Sequence, residues 1–77
     1  MNALTREELE SRLAALHLAS LAGRTAAVSQ LLALRADIEG LNRHRESALD
    51  VAGANSQLEV LGLLLAAGAD ATLAGFR

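Results

Sequence analysis

The sequence predicts an all-α protein: two helix–turn–helix units behind an extended N-terminal helix. Three observations carry this. Of its 77 residues 52% are hydrophobic, and nearly all of these are Leu and Ala. Those are helix formers, whereas Val, Ile and aromatic residues, which favour strands, are few. No proline is present to interrupt a helix. Third, residues 14–44 match residues 47–77 at a fixed offset, with eight identities in 31 pairs: Ala15, Leu16, Ala19, Leu31, Leu32, Ala33, Ala36 and Asp37 with their partners. A fixed period of this size marks a repeat architecture.

The first element is a long helix. Thr5-Arg6-Glu7-Glu8 is a capping box with two acids at the positive end of the helix dipole. Leu9, Leu13 and Leu16 continue at helical spacing. Neither Gly nor Pro falls between Thr5 and Ala22, so one helix from about Arg6 to Ala22 is expected; the alternative is a separate capping helix with a bend near Ser11. Gly23-Arg24 breaks it, and a second helix runs from Thr25 to Leu34. A polar link, Arg35 to Glu46, holds the turn formers Asp37, Gly40 and Asn42. Ser47, with Asp50 three residues on, caps a third helix over Ala48–Asn55. After a break at Ser56-Gln57 the fourth helix spans Gln57–Ala67, with Leu58, Leu61, Leu64 and Leu65 at helical spacing. The whole chain, 1–77, reads as a single domain. Within it residues 5–22 form the long helix, 14–46 a first repeat into which that helix merges, and 47–77 a second repeat whose following loop is incomplete.

This layout resembles ankyrin repeats, whose pattern is roughly T-P-L-H-L-A-x-x-x-G-x-x-x-V-V-x-L-L-L-x-x-G-A-D. Leu16-His17-Leu18-Ala19, Gly23, Val28, Leu31-Leu32 and Ala36-Asp37 stand at the corresponding places of the first unit. Leu49, Ala52, Glu59-Val60, Leu63-Leu64-Leu65 and Gly68-Ala69-Asp70 stand at those of the second. The resemblance covers residues 14–77 and implies a helix–turn–helix solenoid. It also implies that His17 has a structural hydrogen-bonding role. Departures occur: Ala14-Ala15 and Ser47-Ala48 replace Thr-Pro, and Arg35 and Arg45 replace glycines that usually take positive φ. A non-glycine residue pays about 1 kcal/mol there, so the first inter-unit loop is expected to be distorted.

Little in the chain suggests catalysis or a cofactor. His17 and His44 lie far apart and no cysteine accompanies them, which removes disulfides and Cys-ligated zinc. No glycine elbow flanks a serine, and Gly23-Arg24-Thr25 lacks the lysine and spacing of a phosphate loop. Asp37 and Asp70 recur at one register, which argues for turn capping rather than an acid–base pair. A metal site from Asp37, Glu39 and His44 is the weakest of these readings. The net charge of −2 argues against non-specific nucleic-acid binding. The apolar stretch Val60–Ala69 is about half the length of a membrane span, and residues 1–10 lack the basic and apolar regions of a secretory signal. An intracellular protein, cytoplasmic or nuclear, is expected.

The expected function is therefore that of a protein–protein interaction module or adaptor. The ankyrin resemblance implies that partners are held by loop tips and the inner face of the first helices. Those places here are Leu41, Arg43, His44, Arg45 and Glu46 in the loop, Ser20, Leu21 and Ala22 on the first helix, and Gly53, Ala54 and Asn55 on the third. Arg43, His44 and Arg45 form a basic tip, with Arg35 expected close by. It suits an acidic segment of a partner, although polar tips also serve solubility alone. The alternative is a self-associating element. Solenoids need about three units and polar caps, so the outer flank of the last pair, with Leu58, Val60, Leu63, Leu73 and Phe76, is expected to be apolar and open. A tail folded back as a cap, further units of a longer array, or homodimerisation with Leu63, Leu73 and Phe76 as contacts would cover it.

Overall fold

The computed structural model describes residues 5–69. Among these residues the chain is all-α: α1 (Arg6–Ala22), α2 (Thr25–Ala33), α3 (Ala48–Ala54) and α4 (Leu58–Ala66), with no strand. Leu73 and Phe76 lie outside the described residues.

α1 is unbroken, and its start is set by local chemistry. The Glu8 backbone N–H donates to Thr5 Oγ1 (3.1 Å) and the Thr5 N–H donates to Glu8 Oε1 (3.0 Å), which satisfies two N–H groups that the first turn leaves unpaired. Hydrogen bonding from the Thr5 backbone, then from its side chain, holds the Glu8 carboxyl below its ordinary value. Gly23 ends the helix at φ 73°, and the Arg24 N–H donates back to the Ala19 carbonyl (2.9 Å). At Ser47 a second capping box forms with Asp50, the two bonds being 3.2 and 3.0 Å.

The second helix pair repeats the first in detail. α2 and α4 begin and end thirty-three residues apart. The turn bond from Arg24 N–H to Ala19 O recurs as Gln57 N–H to Ala52 O, both 2.9 Å. That from Ala36 N–H to Leu31 O recurs as Ala69 N–H to Leu64 O, both 3.0 Å. Positive φ recurs as well, at Gly23 (73°) and Ser56 (55°), and at Arg35 (67°) and Gly68 (102°). Arg35 and Arg45 (61°) thus accept the left-handed conformation that glycine would supply, and the distortion expected of the loop is not found at these positions.

Within each pair α1 packs on α2 and α3 on α4; between pairs α1 packs on α3 and α2 on α4. Leu16, Val28, Leu49, Val60 and Leu64 are fully buried, and Ala19, Ala36, Ala48 and Ala52 fill the spaces between them. Alanine at these places lets the helices approach closely, so a short chain reaches a packed interior without large side chains. Two expectations are corrected. Val60, placed on an open outer flank, is fully buried at the junction between the pairs. Ser20, placed on the partner face, is also fully buried, and among the described residues its hydroxyl has no hydrogen-bond partner.

Candidate partner-binding surface

The loop between the pairs is braced from within. Asp37 Oδ1 accepts from the Glu39 N–H (3.0 Å), and the Gly40 N–H donates to the Asp37 carbonyl (3.1 Å). Gly40 lies against Leu13 of α1, where a Cβ would collide with the leucine methyls. Asn42 then organises the tip. Its Oδ1 accepts from the N–H groups of His44 (2.8 Å) and Glu46 (2.9 Å), and its Nδ2 donates to Glu46 Oε1 (3.1 Å). The Asn42 N–H donates to the Glu46 carbonyl (2.9 Å), and the Arg45 N–H donates to the Asn42 carbonyl (3.0 Å). These bonds close a tight turn with Arg43, His44 and Arg45 at its crest.

His17 ties this turn to α1. It is buried, with Nε2 2.9 Å from the Glu46 carbonyl and Nδ1 2.9 Å from the Leu13 carbonyl. A carbonyl oxygen only accepts, so both contacts are hydrogen bonds only when each ring nitrogen carries a proton. The neutral ring makes one of them, through whichever nitrogen holds the hydrogen.

Above this anchor lies a cleft of ≈ 360 Å³ between the first helices and the loop, lined by His17, Leu18, Leu21, Asn42, His44, Glu46, Val51 and Asn55. A second hollow, ≈ 520 Å³, lies on the other side of His17 and Leu18, with Glu10, Leu13 and Arg43 on its wall. Leu18 and Leu21 are exposed, which makes the floor apolar. The crest beside them carries the charges of Arg43 and Arg45: these two and His44 between them are exposed, and their side chains have no hydrogen-bond or ion-pair partner among the described residues. Unpaired cations beside an apolar floor suit a ligand that brings carboxylates and an apolar side chain together.

Of the residues expected to bind a partner, the structure gathers Leu21, His44, Glu46 and Asn55 around the first cleft, and places Arg43 on the second. Arg45, Leu41, Ala22 and Ala54 are exposed but lie outside both. Glu46 faces the cleft with its carboxylate held by Asn42. Leu63 is half-buried against the core of its own chain. Leu18 and Asn42 carry no sequence signal that sets them on this surface: Leu18 stands at a motif position, and its exposure follows from the absence of a helix pair over that face among the described residues. Among those residues no three His, Asp or Glu side chains form a group able to hold a metal ion, and no helix is long and apolar enough to cross a membrane.

Comparison with known proteins finds no family model, no curated protein and no solved structure that matches the chain.

Proposed function

We propose that this chain is a protein-interaction module of the ankyrin-repeat kind, a short solenoid that binds an acidic segment of another protein instead of catalysing a reaction. The array reading is supported by the recurrence of helix bounds, turn bonds and positive-φ positions at one offset. The binding reading rests on one observation above all: Arg43 and Arg45, whose guanidinium groups have no partner among the described residues, flank His44 on a hydrogen-bonded crest beside a cleft floored by Leu18 and Leu21. Because the Asn42 brace and the His17 anchor pre-order the crest, binding there forgoes much of the ordering cost that a floppy loop would incur. Arg supplies paired donors for a carboxylate, and the exposed leucines supply apolar area at the centre of the contact.

The test is a panel of fluorescent peptides, each with two or three carboxylates flanking one Leu or Phe, titrated by anisotropy. A binding peptide should weaken at least tenfold against Arg43→Glu/Arg45→Glu and against Leu18→Ser, with the helical circular dichroism unchanged. It should also weaken as salt rises. A peptide that binds these variants as well as the parent chain removes the proposed site.

A further inference from the structure

The two helix pairs bury equivalent positions unequally, and the inequality has a direction. Ala48, Val51, Val60 and Leu64 of the second pair are buried at the junction with the first. Their counterparts thirty-three residues earlier are Ala15, Leu18, Ala27 and Leu31. Leu18 is 65% exposed where Val51 is 7%, and Ala15, Ala27 and Leu31 are only half-buried. These four, with Ala22 and Arg24, line a shallow apolar depression. The opposite face shows the converse. His17, Ser20 and Val28 are buried against the second pair, whereas their counterparts Asp50, Gly53 and Leu61 are half-buried, and Leu65, the counterpart of Leu32, is 44% exposed.

Among the described residues the two faces that meet at the internal junction thus recur, open, on opposite ends of the pair of units. From this we infer that a second copy of the chain stacks end-on, its Leu61–Leu65 face seated on the Ala15–Leu18–Ala27–Leu31 face of the first. The internal junction is the template for that contact. There, Gln57 Nε2 crosses between the pairs to the Leu21 carbonyl (2.8 Å). Arg24 holds the place of Gln57 on the open face, and its guanidinium supplies the same donor toward the Ala54 carbonyl, the counterpart of Leu21, on the neighbouring copy. One link has no equivalent: Asp50 stands where His17 does, and a carboxylate cannot donate to a carbonyl, as the imidazole can to that of Glu46 when Nε2 carries the hydrogen. Lacking that bond and bearing the entropic cost of association, the contact is weaker than the junction inside the chain, with Kd on the order of 0.1–1 mM. It is also head-to-tail. A contact of two different faces does not close on itself in a pair, so assembly continues with concentration. This contact uses Leu61 and Leu65 in place of Leu63, and does not involve the cationic crest.

The test is sedimentation equilibrium from about 20 µM to 2 mM. The parent chain should rise in average mass through dimer to larger species. Leu18→Glu removes one face and Leu65→Glu the other, so each variant alone should remain a monomer with unchanged helical circular dichroism. Mixed in equal amounts, they keep one intact face of each kind and should form a dimer that grows no further. If glutamate costs helical signal, Leu18→Gln and Leu65→Gln are read in the same way. Arg43→Glu/Arg45→Glu should assemble like the parent, which separates this contact from the crest; Leu18 belongs to both surfaces. A parent chain that stays monomeric at 2 mM overturns the inference. So does a single variant that dimerises alone, a mixture that stays monomeric, or a crest variant that fails to assemble.

Discussion

Replacing His17 by Ala tests how the crest is mounted. The imidazole is buried and lies 2.9 Å from the Glu46 carbonyl, which belongs to a residue twenty-nine positions away. The Glu46 carbonyl would not be orphaned by the change, because it also accepts the Asn42 N–H at 2.9 Å. The loss is therefore the net value of one hydrogen bond, about 0.5–1.5 kcal/mol, rather than the larger penalty of an unpaired buried group. Removing the ring adds the packing of a buried side chain, roughly 1–2 kcal/mol. The expected total is about 1.5–3.5 kcal/mol, a large share of the ~4–12 kcal/mol typical for a domain of this size. Urea unfolding followed by circular dichroism reads that number. Hydrogen exchange reads its location: the Arg45 and Glu46 amides should lose protection more than those of α4. His17→Leu keeps most of the volume and should recover the packing part while leaving the loop amides fast. If His17→Ala costs under about 0.5 kcal/mol, or the Glu46 amide exchanges no faster, His17 does not anchor the crest.

Three further outcomes follow from the same contacts. Ser20→Ala removes a fully buried hydroxyl that has no partner among the described residues, so thermal melting should show a stability equal to the parent or higher by about 1 kcal/mol; a clear loss would mean that the hydroxyl is bonded. Gly23→Ala places a Cβ at φ 73° and drives it into the Gln57 amide that bonds Leu21. It should lower stability by about 2 kcal/mol, from left-handed strain and the displaced hydrogen bond together. Glu8 is held below its ordinary value by its bonds to Thr5. Its folded value is depressed, so its contribution is complete above the unfolded carboxylate value and fades as pH falls through the folded one. Helical signal from the first turn of α1 should drop on acidification below about pH 4, and Glu8→Gln should flatten that part of the titration.

Where an element depends on neighbours in the chain, the sequence by itself was sufficient. Thr5 with Glu8, and Ser47 with Asp50, close their boxes within three residues, so both helix starts could be read directly. Gly23 ends α1 for an equally local reason, and the matched offset located both helix pairs. The Asx bonds of Asn42 are local too, but many turns begin with Asn, and the residues alone did not single this one out. The tertiary structure decided everything that turns on which face a neighbouring pair covers. Leu18 and Val51 stand at one register with similar side chains, yet one is exposed and the other buried, because among the described residues the first helix pair covers Val51 and no pair covers Leu18. The same stacking buries Val60 and Ser20, which the repeat pattern had placed on the surface. It also brings His17 to a carbonyl twenty-nine residues away. Helical periodicity states which residues share a face. Which of those faces meets another is settled by packing between segments distant in sequence, and no local pattern records it.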